Sequence, residues 1–71
     1  MNKPRHRFIE LRKKSGKTQK IVALEMGVTE TTIRAYERGR SRPNLDHLFA
    51  FARYFDTNVY ELWPDIAYPE E

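Results

Sequence analysis

The sequence predicts an all-α domain of five short helices, and three observations carry that prediction. Glycines fall at positions 16, 27 and 39, and apolar residues recur at helical spacing between them. Thr18, Thr29, Asn44 and Asn58 each stand just before such a segment, where a side-chain oxygen can cap the free amides of a helix start. The β-branched residues never alternate over a useful length, so no strand is expected.

The first helix is expected over 4–14, since proline is acceptable at a first helical position, with Phe8, Leu11 and Arg12 sharing a face. The second opens at Thr18 and lines up Val22, Ala23 and Met26 before Gly27. The third opens at Thr29 and ends near Arg38, with Gly39 as a left-handed stop. A loop from Arg40 to Pro43 leads to Asn44, and the fourth helix is expected to bury Leu45, Leu48, Phe51, Ala52 and Phe55. Asn58 and Glu61 have capping-box spacing for a short fifth helix carrying Val59 and Leu62. The organisation expected is one domain over 1–71, with its core over about 5–63 and an irregular tail over 64–71 bracketed by Pro64 and Pro69.

At 71 residues such a domain has a marginal core, and small chains usually add disulfides, a metal, a partner subunit or very regular packing. There is no cysteine, which excludes disulfides and thiolate zinc sites. His6 and His47 lie far apart on different elements, so no metal site and no cofactor are expected. Ser15 and Ser41 have no nucleophile-elbow context, and there is no phosphate-cradling glycine loop, so no enzyme is expected. No segment approaches the roughly 20 apolar residues of a membrane helix, nor does the N-terminus read as a signal peptide; a soluble cytoplasmic protein is the expectation.

The net charge of +3 is unevenly spread. Residues 1–42 hold twelve Lys/Arg against Glu10, Glu25, Glu30 and Glu37, whereas residues 43–71 hold only Arg53 against six acids. One face is thus built for an anion and another for something else.

Two short helices joined by a tight turn at Gly27-Val28 have the layout of a helix-turn-helix. Ala23 suits a close crossing of the second and third helices, and Gly27 supplies the positive φ of the turn. The strings LRKKSGKTQ, VALEMGVTETTIRAYERG and RPNLDHLFAFARYF follow in the order and spacing of the lambda Cro/repressor-type (Xre) family, which the chain resembles over residues 8–62. That resemblance implies a five-helix, lambda-repressor-like DNA-binding domain whose third helix enters the major groove. It also implies that Gln19 touches a phosphate or base edge, and that Arg12 pairs with Glu37 at the end of the third helix. Ile21 stands where the family usually has an acid, Asp56 where glycine is common, and Thr57 where valine is common.

Helical geometry independently sorts the third helix. At about 100° per residue Ile33, Tyr36 and Glu37 share one side, leaving Thr31, Arg34, Ala35 and Arg38 opposite. Arg34 can present a bidentate fork to guanine, Thr31 can bond a base edge or pack on a thymine methyl, and Glu30 can accept from a cytosine amino group. With Gln19 these are the expected base contacts. Thr29 and Thr32 sit near a helix start with free amides, as Thr18 does on the second helix. Arg38, Arg40 and Arg42 fall where a backbone strand would pass. All six are expected phosphate contacts. Lys13, Lys14 and Lys17 read as a solvated face. Glu37 points inward, where a carboxylate is costly unless paired.

Seven of the nine aromatics lie in the last third of the chain. Phe49, Tyr60, Trp63 and Tyr68 exceed what so small a core can bury, and interfaces favour such residues. The expectation is a homodimer held by the fifth helix and tail through Tyr60, Trp63 and Tyr68, since helix-turn-helix proteins read two half-sites through a two-fold axis. The function expected is a sequence-specific transcriptional regulator, a repressor binding a short palindrome in double-stranded DNA. The alternative is the antitoxin of a toxin pair, gripping a protein partner through its aromatic C-terminal surface.

Overall fold

The computed structural model describes residues 4–64. Five helices follow in order: α1 His6–Lys14, α2 Gln19–Met26, α3 Glu30–Arg38, α4 Leu45–Tyr54 and α5 Val59–Leu62. The described residues contain no strand, and none of their helices is long and apolar enough to cross a membrane.

The helix boundaries follow from local chemistry. Thr18, Thr29, Asn44 and Asn58 accept, through their side-chain oxygens, the amides of Ile21, Thr32, His47 and Glu61. Gly27 and Gly39 turn left-handed at φ 74° and 75°. There Val28 N–H reaches back to Ala23 O and Arg40 N–H to Ala35 O, which closes two helix ends that would otherwise leave carbonyls bare. The same closure ends α4, where Thr57 N–H donates to Ala52 O at 2.8 Å, but the left-handed residue is Asp56 at φ 55°. α1 starts later than Pro4 and has no side-chain cap. Its N-cap residue Arg5 instead donates its backbone N–H to Glu37 O, so α1 begins on the end of α3. The capping box of α5 is half made: Asn58 caps, while the Glu61 carboxylate pairs with Arg7 at 3.1 Å.

α1 packs on α3 and α5, α2 on α3, and α4 on α5, around one core of Phe8, Val22, Ile33, Tyr36, Leu48, Phe51, Phe55, Leu62 and Trp63 with Ala23 and Ala52 at the close crossings. Phe8 lies at its centre beside Phe51, with ring centroids 5.4 Å from Phe51, 5.2 Å from Phe55 and 5.6 Å from Trp63, all tilted or edge-on. Edge-to-face pairs add about 0.5–1.5 kcal/mol each beyond area burial, which matters in a core this small.

Two expectations are corrected by this packing. Trp63, expected at an interface between copies, is 0% exposed. The single turn of α5 ends at Leu62, and Trp63, leaving the helical conformation, lays its ring against Phe8, Tyr36 and Phe51 on three other helices. It completes the monomer's own core and cannot face a partner. Leu45, expected in the core, is 66% exposed, because the first turn of α4 projects beyond the other helices' apolar faces and only Leu48 and later residues meet them. Tyr68 lies outside the described residues.

Candidate nucleic-acid interface

α2 and α3 form a unit whose inner faces are fixed. Ile33, Tyr36 and Glu37 of α3 are buried, and so are Val22 and Ala23 of α2. The opposite side of α3 therefore has to face out: Thr31 and Arg38 are exposed, and Arg34 and Ala35 are half-buried. Burial pushes the Tyr36 phenol above its ordinary range, so it stays neutral in the core.

Glu37 is the single charged residue buried among the described residues, and three donors satisfy it. Arg12 Nε donates to Oε2 at 2.5 Å, Arg12 Nη2 to Oε1 at 3.4 Å, and Gln19 Nε2 to Oε1 at 2.9 Å. Arg12 Nη1 also donates to Lys17 O at 2.9 Å. With side chains only 11% and 6% exposed, this is a buried pair. It ties α1, the α1–α2 loop, the first residue of α2 and the end of α3 into one node. Gln19 is thereby held half-buried at the entrance to α2, its carboxamide fixed against Glu37 at the end of α3.

At the other end of α3, Thr29 and Thr32 share a hydroxyl–hydroxyl hydrogen bond of 2.9 Å while Thr29 also caps the helix. Arg34 Nη2 lies 3.4 Å from Glu30 Oε2, one turn earlier on the same face. Thr18 is exposed, with its hydroxyl spent on capping α2. Arg38, Arg40 and Arg42 are all exposed and, among the described residues, make no ion pair. Arg7, Arg12 and Lys17, by contrast, are all matched to carboxylates. Three arginines without an ion pair among the described residues thus lie together at the C-terminal end of α3 and in the loop after it, and Arg53 on α4 is a fourth elsewhere.

A helix-turn-helix family model matches residues 8–62, which takes in every element of this arrangement. The chain belongs to the helix-turn-helix family, of the Cro/repressor (Xre) type. Among its relatives, the HTH-type transcriptional regulator AnsR of Bacillus subtilis is 39% identical over 56 residues, covering 79% of this chain and 48% of the relative. An uncharacterized HTH-type transcriptional regulator of Archaeoglobus fulgidus is 36% identical over 59 residues, covering 83% of this chain and 84% of the relative. The chain thus spans about half the length of the Bacillus protein and most of the archaeal one. No solved structure gives a significant match.

One cluster of the helix-turn-helix domain escapes sequence reasoning. Lys17, expected on a solvated face, instead donates to Glu25 Oε1 at 2.8 Å and to Tyr54 OH at 3.0 Å, and lies over the Tyr54 ring. Tyr54 OH in turn donates to Glu25. The Lys17 ammonium holds the Glu25 carboxyl below the usual carboxylate range, and Glu25 in return raises Lys17. Burial pushes the Tyr54 phenol up. The cluster pins the α1–α2 loop and α2 to α4, which fixes the angle at which the reading unit sits on the core. Its members are 8 and 37 residues from Lys17, separations that no helical period reports.

Proposed function

We propose that the chain is a sequence-specific DNA-binding transcriptional regulator of the cytoplasm, with α3 laid in the major groove. The observation that carries this reading is the exposed set Arg38, Arg40 and Arg42, without an ion pair among the described residues, at the end of a helix tied to α1 and α2 and whose outer face presents Thr31 and Arg34. Arg34, Thr31, Glu30 and Gln19 contact base edges. Thr18, Thr29, Thr32, Arg38, Arg40 and Arg42 contact phosphates, which set register and supply affinity without sequence information. Two copies related by a two-fold axis bind a short palindrome, joined through the face of α4 and α5 where Phe49 and Tyr60 remain exposed. Occupying such a site represses by excluding the polymerase.

Equilibrium binding across a range of salt tests the division of labour. Arg34→Ala should lower affinity for the preferred site by about tenfold or more and relax base choice at one position, with random DNA little changed. Arg40→Ala should weaken both DNAs alike and flatten the dependence of log K on log salt by roughly one unit, the share of a single phosphate. Equal weakening of both DNAs by Arg34→Ala would make it a phosphate contact, and an unchanged salt slope would remove Arg40 from the interface.

The same exposed face of α4 and α5 favours a second reading, in which it grips a toxin protein and the chain is an antitoxin that also binds DNA. The apolar groove there is lined by Phe49, Ala52, Val59 and Tyr60. Co-expression with the neighbouring gene product and recovery of a stoichiometric complex lacking the self-dimer would favour it.

A further inference from the structure

The chain has two serines and five threonines, and the fold puts most of their hydroxyls to use. Ser15 Oγ donates to Leu11 O at 2.8 Å, Thr18 and Thr29 cap α2 and α3, and Thr32 shares a hydrogen bond with Thr29. Thr31 lies within α3, and Thr57 is half-buried just after α4. Ser41 differs on every count. It is exposed and lies outside any helix, and among the described residues neither its hydroxyl nor its backbone makes a hydrogen bond.

Its neighbours say what could reach it. Ser41 stands between Arg40 and Arg42, with Arg38 three residues earlier, and none of these arginines makes an ion pair among the described residues. The segment is anchored at its two ends, by Arg40 N–H on Ala35 O at 2.9 Å and by the buried Pro43 that precedes the α4 cap. An enzyme that modifies a hydroxyl has to draw the acceptor segment into its cleft, and no native hydrogen bond of Ser41 opposes that here. Arginines on both sides make the segment complementary to an acidic cleft.

We propose that Ser41 is a phosphorylation site for a protein kinase with an acidic substrate cleft, and that the phosphoryl group releases the chain from DNA. The inference rests on the regulator reading above and adds to it a covalent control of the phosphate-gripping loop. In the transfer Ser41 Oγ bonds to the γ-phosphorus of a nucleoside triphosphate, and the bond from that phosphorus to the β,γ-bridging oxygen breaks. The nucleoside diphosphate leaves, and the hydroxyl proton passes to a carboxylate of the kinase. The product carries about −1.5 to −2 charges at neutral pH. That offsets about two of the three arginines, and its oxygens offer them a charge-assisted partner in place of DNA phosphates.

The full chain is short enough to be synthesised with phosphoserine at position 41, and helical circular dichroism establishes that it is folded. Compared with the native chain it should bind preferred and random DNA tenfold or more weakly. The slope of log K against log salt should flatten by about two units, and a phosphatase should restore both. Ser41→Ala should bind both DNAs as the native chain does. Incubated with magnesium ATP and an extract of the cells that make it, the native chain should gain one phosphoryl group, located on Ser41 by fragment masses, and Ser41→Ala should gain none. Phosphoserine that leaves affinity and salt slope unchanged, or an extract that leaves Ser41 unmodified, overturns the covalent control and leaves the regulator standing. A native chain that binds neither DNA overturns both.

Discussion

The indole of Trp63 is enclosed by rings from α1, α3 and α4, yet its Nε1–H meets no acceptor among the described residues. A buried unsatisfied donor costs about 1–3 kcal/mol, so the residue stabilises the fold by its surface and detracts through one hydrogen. Trp63→Phe removes that donor and leaves a modest void, worth about 1 kcal/mol if a few tens of Å³ stay empty. The two effects nearly cancel, and urea unfolding should show a change within about 1 kcal/mol. Trp63→Ala should lose about 3–5 kcal/mol. If the phenylalanine variant falls as far as the alanine one, the indole nitrogen has a partner in solution. Asp56 is the complementary case: it holds a left-handed backbone conformation that glycine adopts without cost, and a short polar side chain is among the few that tolerate it.

At the scale of elements, what is legible in the sequence is what is local. Thr18, Thr29, Asn44, Gly27 and Gly39 mark helix ends because capping needs only residues within four or five positions of one another. The outward face of α3 is legible for the same reason, since one period decides it. Trp63 and Leu45 escape such reading because their burial depends on where α5 and α4 lie against other helices, which no local pattern encodes. The Arg12–Glu37 pair lies between: an inward carboxylate is visible on α3, but its partner 25 residues away is named only by resemblance. That pair joins α1 to α3 and holds Gln19 at the start of α2. Removing one member leaves an uncompensated buried charge, so Arg12→Met alone should lose about 3–5 kcal/mol in urea unfolding. The double variant Arg12→Met/Glu37→Leu should recover most of that loss, because apolar replacements of a buried pair are often neutral or better. A single-variant loss below about 1 kcal/mol would mean the pair is solvated. Recovery of stability without recovery of DNA affinity would show that the node's further task is to position Gln19.

For the whole molecule, the charge asymmetry becomes a division of faces. Arg38, Arg40 and Arg42, without an ion pair among the described residues, gather at the end of α3 and the following loop, while α4 and α5 carry an exposed apolar face with Phe49 half-exposed and Tyr60 56% exposed. A core this small has already taken Trp63 from that region, and the aromatic surface that stays exposed is the one proposed to meet a second copy. A dimer converts binding at the second half-site into an intramolecular step, and such linkage strengthens binding by about 10²–10⁴ without any new contact. Tyr60→Asp places a charge in that face without touching α3. Light scattering at tens of micromolar should then give a monomer, and the native chain the proposed dimer. Affinity for a palindromic site should fall by about 10² or more, while affinity for an isolated half-site stays as it was. Equal loss on both DNAs would place Tyr60 in the fold itself, and an unchanged mass with unchanged affinity would mean that the two copies meet elsewhere.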